Sequence, residues 1–286
     1  YLFESYIKVL ERYTPKVFIF ENVPGILSAK PTNRPIIEII QESFDKAGYH
    51  LLSDLGQAII DFTNYGVPQN RKRIIIFGVR KDVFGEEKSD EMVHYFYETA
   101  LPKYRSRKKT VKEAIGDLPR LTPLDHDIKC EGTRTHHSLP IPFVPNHVAR
   151  WQSERDIAIF KLLTDDIESG RNNYTSIEAL KELYTQKTGK TSNVHKYHVI
   201  RWDEPSNLIP AHLYKDGLRH IHPDSTQQRT ITVREAARLQ TFADDYLFDG
   251  SNMELYKMIG NAVPPEFAKC CANAVYDLLK LYTIEP

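Results

Sequence analysis

The sequence predicts an α/β fold, half of a doubly wound (Rossmann-like) sheet joined to a long irregular region. Three observations carry this. Two uninterrupted apolar runs, Val17-Phe18-Ile19-Phe20 and Ile74-Ile75-Ile76-Phe77-Gly78-Val79, read as strands buried on both faces, the pattern of a parallel sheet. Amphipathic helical stripes precede and separate them. From Lys81 the clean periods dissolve and histidines and prolines accumulate, until a clear strand-to-helix signal returns at Arg229.

Leu2, Tyr6, Val9, Leu10 and Tyr13 share one stripe of a first helix, which Pro15 ends. The first strand then stops at Glu21 and Asn22, and Val23, Pro24 and Gly25 turn the chain. Ligands of open α/β sheets lie beyond the carboxyl ends of the strands, where Glu21 and Asn22 stand. From this stretch alone, a solvated strand end reads equally well. Asn33 as cap and Pro35 in the first turn open a second helix that buries Ile36, Ile37, Ile40, Phe44 and Ala47, and Gly48 stops it. A β-rich stretch over residues 51–62 leads to Gln69-Asn70-Arg71-Lys72-Arg73, just before the second strand. Arg71 and Arg73 lie two apart, so an extended chain puts both on one face with Gln69 alongside. Such a row of donors suits a phosphate or a base edge, and the alternative is a plain solvated turn.

Further along, Lys103, Arg105, Arg107, Lys108 and Lys109 surround Tyr104 in a basic run that either tracks a phosphate backbone or is a solvated loop. Thr110 and Glu113 form a capping box for a short helix ending near Gly116. Helices are expected over residues 151–163 and 176–184. Thr232 and Glu235 form a second capping box, opening a helix with Arg234 and Arg238 on one face. Gly260 and Asn261 make a tight turn before the last helix. That helix starts at Pro265 and buries Phe267, Cys271, Ala274, Val275, Leu278 and Tyr282, which makes Cys271 and Cys270 packing residues and not nucleophiles.

Composition sets outer bounds. With 38 basic and 38 acidic side chains the formal charge is zero, so any nucleic-acid surface must come from local clustering. No apolar run approaches the roughly eighteen residues of a membrane span, and no basic-then-apolar leader is present. Three cysteines without a Cys-x-x-Cys pair suggest a reducing, intracellular setting. Nine of the eleven histidines fall between His126 and His222, but without partners at structural-zinc spacing, so they read as polar contacts and no metal is expected. The chain begins at Tyr1, inside a helical pattern, which is expected of a fragment, a processed chain or one piece of a split protein.

Four segments, in this order, resemble the later motifs of DNA (cytosine-5) methyltransferases: Glu21-Asn22-Val23, Gln69-x-Arg71-x-Arg73, the stretch from Arg229 to Gln240, and Gly260-Asn-Ala-Val-Pro-Pro. The resemblance implies the second half of a Rossmann-like, S-adenosylmethionine-dependent catalytic domain with an inserted target recognition domain. The division expected is 1–80 for the catalytic half, 81–225 for the recognition domain, and 226–286 for the return, with its final helix packed on the catalytic domain. The family's mechanism adds a cysteine thiolate to C6 of a cytosine flipped out of the duplex, then methylates C5. It implies that Glu21 holds N3 and the exocyclic amine, Asn22 positions Glu21, and Arg73 with Arg71 holds the carbonyl oxygen and adjacent phosphate. Asn261, Ala262 and Val263 resemble the turn at the methionine end of the cofactor. Gln69, Arg229, Thr232, Lys103, Arg105 and Arg107 are the expected DNA contacts, with Asn207 standing where the family carries a recognition threonine.

Two family motifs are absent: the Phe-x-Gly-x-Gly cofactor loop and the Pro-Cys nucleophile, for no cysteine here follows a proline. The cofactor site is thus incomplete in this sequence. The chain alone is expected to be inactive, and a polypeptide or upstream segment with the missing motifs is the expected partner beside double-stranded DNA. A bacterial cytoplasmic restriction-modification setting is implied. The alternatives are a non-catalytic DNA-binding subunit of a split or degenerate enzyme, and a tRNA methyltransferase. The intact Glu21, Arg71 and Arg73 speak against the first, and the long irregular insert against the second.

Overall fold

The computed structural model describes residues 2–30, 33–215 and 217–282. The side chain of Leu2, assigned above to the first stripe, lies outside the described residues. The chain divides into two compact units: residues 1–66, 71–107 and 266–286 in the first, 67–70 and 108–265 in the second. The breaks thus fall at 107 and 265, not at the expected 80 and 225. The reason is packing. Phe96 stacks on strand residue Phe77 at 4.2 Å, which keeps the segment after Lys81 with the first unit. The helix after Thr232 shares a core with the helix after Thr110, which keeps both in the second.

The first unit runs α1 (Leu2–Tyr13), β1 (Val17–Asn22), α2 (Ile36–Lys46), β2 (Tyr49–His50), β3 (Ile59–Asp61), β4 (Lys72–Arg80), α3 (Lys81–Phe84) and α4 (Glu86–Tyr95). β4 is the central strand. β1 pairs along one edge, from Val17 opposite Val79 to Asn22 opposite Ile74. β3 and β2 share the other edge, opposite 72–74 and 79–80. All these pairings are antiparallel, which corrects the parallel arrangement expected from the apolar runs. Burial on both faces makes any central strand uniformly apolar, and so carries no information on direction. β1 is in fact only half-buried apart from Phe18, since β4 is its one strand partner among the described residues. Between β2 and β3 the free edge of β4 is closed by a side chain. The Tyr97 hydroxyl donates to Ile75 O at 2.7 Å and accepts from Phe77 N at 2.9 Å.

One sheet face carries Phe18, in contact with Phe44 of α2, Tyr6 of α1 and Tyr49. Gly78, opposite Phe18, is required there: a Cβ would stand 2.2 Å from the ring. Tyr6 also donates to Ile19 O at 3.0 Å, which turns α1 so that Phe3 and Leu10 are buried while Val9 and Tyr13 are exposed, contrary to the predicted stripe. α2 buries Ile36, Ile40 and Phe44, but Pro35 occupies its N-cap and Asn33 does not cap it.

The second unit holds α5 (Val111–Ile115), the hairpin β5 (Pro123–Cys130) and β6 (Thr133–His137), α6 (Glu154–Glu168), α7 (Ile177–Thr188), α8 (Val233–Leu239) and α9 (Asn252–Asn261). Both expected capping boxes form, Thr110 with Glu113 and Thr232 with Glu235, and Ser251 with Glu254 makes a third. One core joins α5, α8 and α9 through Val111, Ile115, Ala236, Leu239, Leu255 and Ile259. Another joins α6 and α7 to Tyr197, Val199 and Ile221. α10 (Pro265–Tyr282) closes the chain and belongs from Glu266 onward to the first unit, where Phe267 stacks on Phe62 at 3.8 Å. No helix among the described residues is long and apolar enough to cross a membrane.

Candidate active site and motif junction

In the first unit, the register of the sheet brings two of the sequence-predicted groups together. Glu21 and Asn22 end β1 opposite Ile75 and Ile74, and Arg73 precedes Ile74 on β4. The Arg73 Nε consequently lies 2.9 Å from Glu21 Oε1, and Arg73 Nη1 donates to Lys72 O at 2.8 Å. Arg71, just ahead of β4, is 2 % exposed. Burial, then the like charge of Arg73, lowers its pKa to about 10, against the upward pull of Glu21. It therefore stays cationic at neutral pH. Asn22 Oδ1 accepts from Val23 N at 2.8 Å, fixing the turn that leaves the strand. The result is one carboxylate and two guanidinium groups at a strand end. Guanidinium forks there can hold an oxyanion or carbonyl oxygen, and the carboxylate can accept from ring and amine N–H groups.

Lys103, Arg105 and Arg107 are exposed on the same unit. Lys103 pairs with Asp277 of α10, which the Tyr104 hydroxyl also meets. Arg105 lies beside Tyr65, whose hydroxyl pKa is raised by burial against the pull of that guanidinium. Cys271 is buried, and burial followed by Cys270 pushes its thiol up to about 12, as befits a packing residue.

The second unit corrects three expected DNA contacts. Gln69 is fully buried and belongs with residues 67–70 to this unit. Its Nε2 donates to Leu239 O at 2.9 Å and to Gln240 Oε1, and its Oε1 accepts from Ile209 N at 3.2 Å. Arg229 is 1 % exposed, and both terminal nitrogens reach Glu235 at 2.7 Å while Gln227 takes the remaining edge. Thr232 caps α8 through Glu235 N and meets His147 Nδ1 at 3.0 Å. None of the three has polar atoms left for a phosphate.

Asn207 is half-buried; its Nδ2 donates to Arg219 O at 2.8 Å, and its Oδ1 is buried without a hydrogen-bond partner. At the end of α9, Asn261 is exposed while Ala262 and Val263 are half-buried. The Ala262 carbonyl accepts from Gln240 Nε2. Gln240 ends the Arg229-to-Gln240 segment, and its full burial has no local sequence signature. Five of the eleven histidines are buried, and these make internal contacts such as His137 with Gln227 O at 2.8 Å and His220 with Leu208 O at 3.1 Å. Among the described residues no group of three or more His, Cys, Asp or Glu could hold a metal ion.

The model of the C-5 cytosine-specific DNA methylase family matches residues 1–277, and the chain belongs to that family. It is 37 % identical over 298 residues to the type II methyltransferase M.Bpa9945I of Bacillus paralicheniformis, covering 98 % of this chain and 64 % of that protein. It is 31 % identical over 278 residues to M.BbvI of Brevibacillus brevis, covering 96 % and 62 %. The chain thus spans somewhat under two-thirds of the length of these two relatives. A crystal structure of a prophage-encoded putative DNA modification methyltransferase from E. coli shares the fold, with a TM-score of 0.62 at 22 % identity over 98 % of this chain and 74 % of that one.

Proposed function

We propose that this chain is part of a type II restriction-modification enzyme that methylates C5 of cytosine in duplex DNA, and that it supplies the groups that hold the target base. The observation that carries the reading is the Glu21–Arg73 pair, 2.9 Å apart at the strand end, with Arg71 beside it. Addition of a nucleophile to C6 drives electron density toward N3 and the carbonyl oxygen. Glu21 would accept from N3–H and the exocyclic amine, favouring the protonated ring, and Arg73 would bind the carbonyl oxygen, with the buried Arg71 adding positive charge behind it. A base reaches such groups only when turned out of the helix.

S-adenosylmethionine, when bound, supplies the methyl group. The chain's own residues fit its amino-acid end through the exposed Asn261 amide, which both donates and accepts; the neighbouring Ala262 N–H and carbonyl are already bonded, to Met258 O and Gln240 Nε2. Phe-x-Gly-x-Gly and Pro-Cys sequences are not among these 286 residues, so on this reading they come from polypeptide outside them. The second unit, with Asn207 and the irregular segments, is the region that would read sequence, and Lys103, Arg105 and Arg107 would meet phosphates.

Methyl transfer from labelled S-adenosylmethionine to mixed-sequence duplex DNA tests this, with the chain alone and with a polypeptide carrying the two missing motifs. Transfer to C5 of cytosine only in the mixture is the expected outcome. A folded mixture that binds duplex DNA without methylating it would favour a non-catalytic DNA-binding subunit.

A further inference from the structure

The second unit contains a buried one-way chain of hydrogen bonds that joins three family segments far apart in sequence. It begins at Ile209 N, which donates to Gln69 Oε1 at 3.2 Å. Gln69 Nε2 passes the donation to Gln240 Oε1, and Gln240 Nε2 passes it to Ala262 O. A carbonyl can only accept, so Gln240 must turn its NH2 to Ala262 and its oxygen to Gln69; a flip of Gln240 would lose both its bonds and a flip of Gln69 all three. The second proton of Gln69 Nε2 takes Leu239 O, a carbonyl at the end of α8. Both glutamines are fully buried, where a lost partner is not replaced by water.

Two further contacts hold the same parts. Residues 206–211 are tied to 68–70 by Ser206 N to Pro68 O at 2.9 Å and Asn70 N to Ser206 O at 2.8 Å. At the other end of the segment, Gly260 meets Pro210 and Ala211 backbone to backbone: a Cβ on Gly260 would stand 2.4 Å from Ala211 N. The segment that carries Asn207 is therefore clamped between Gln69 and the end of α9, which carries Asn261.

We infer that Gln69 and Gln240 are positioning residues that couple the 206–211 segment to the 260–263 segment at the end of α9, so that a ligand ordering one of them orders the other. The inference deepens the proposed function and rests on it for the ligands: duplex DNA at Asn207, S-adenosylmethionine at the end of α9. The device itself is independent of them.

Its test has two readouts. Hydrogen exchange of the ligand-free protein compares the parent with Gln240→Met, which keeps length and volume but cannot bond, and with Gln240→Glu at a pH high enough to ionise the buried carboxyl, where it accepts from Gln69 but cannot donate to Ala262. The Glu variant keeps the comparison open if the Met variant does not fold. Exchange is expected to rise roughly tenfold in peptides covering both 206–213 and 258–263, with α6 unchanged, a coupling within the usual allosteric range. A rise confined to 258–263, or spread over the whole unit, would overturn the coupling. In the methylating mixture, Gln240→Glu is expected to raise KM for S-adenosylmethionine roughly tenfold with kcat nearly unchanged. A merely structural loss would lower kcat with the folded fraction and leave KM alone, and that result would overturn the positioning role. A parent mixture that never methylates counts against the proposed function, while the ligand-free exchange still decides the relay.

Discussion

Glu235 and Glu21 are both paired with arginine, yet burial gives the two pairs opposite consequences. Glu235 is 1 % exposed, and burial opposes its ionisation; Arg229 and then His222 outweigh that and hold its carboxyl well below the usual carboxylate range. Glu235→Ala would leave the Arg229 charge buried and unpaired, so a loss of about 3–5 kcal/mol is expected in chemical denaturation. Replacing both partners with Met should cost less than that single change, because no charge is then stranded. The Glu21–Arg73 pair is partly open, with 27 % and 11 % side-chain exposure, and solvent screens it. Glu21→Gln is therefore expected to shift stability by less than about 1 kcal/mol, yet to lower methyl transfer by roughly 10²- to 10⁴-fold, the usual weight of a positioned acid or base. A variant that loses stability and keeps its rate would sink the assigned role.

Features governed by near neighbours in sequence are the ones that single elements disclose. The Thr110–Glu113 and Thr232–Glu235 capping boxes were legible because both partners lie within one turn; Ser251 and Glu254 obey the same rule. Asn33 does not cap α2 because Pro35, two residues on, takes the cap position itself. Strand direction in β1 and β4 depends on partners more than fifty residues apart, and apolar runs are silent on it. The arginines show the same limit: Arg73 and Arg229 look alike in sequence, but one reaches Glu21 at a strand end and the other is closed inside α8's cap. Gly260 reads as a turn glycine, whereas it lies within α9 and is required by the Pro210–Ala211 backbone against it. Gly260→Ala should accordingly cost about 1–3 kcal/mol by overpacking, despite alanine's better helix propensity. Calorimetry of that variant decides it, because an increase in Tm would mean the close approach relaxes freely.

Across the whole molecule the balanced charge of 38 against 38 conceals an uneven distribution of titrating groups. The histidine spacing gave no hint of which rings are buried, because burial is set by the α5–α9 packing and not by neighbours along the chain. Burial lowers the pKa of His137 and His198 to about 4, and of His220 and His222 to about 3, from an ordinary 6.5. All four belong to the second unit. His222 also has a defined tautomer: Nδ1 accepts from Asp224 N at 3.2 Å, so Nε2 carries the proton toward Glu235 at 3.4 Å. Below pH 6.5 the unfolded chain takes up protons that these folded rings refuse. Their contribution to stability is thus complete above pH 6.5 and falls as pH drops toward 4, by at most ~1.4 kcal/mol per pH unit for each ring. The two tryptophans, Trp151 and Trp202, both lie in this unit, and Trp202 stands edge-on to His222 at 5.3 Å, so their fluorescence reports its unfolding. The urea midpoint followed this way is expected to fall steadily from pH 7 to pH 5. His222→Gln, which cannot titrate, should be less stable at pH 7 yet show a shallower fall. A midpoint constant from pH 7 to pH 5 would mean that these rings protonate within the folded unit, and that the second unit admits water or shifts its packing where the structure closes it.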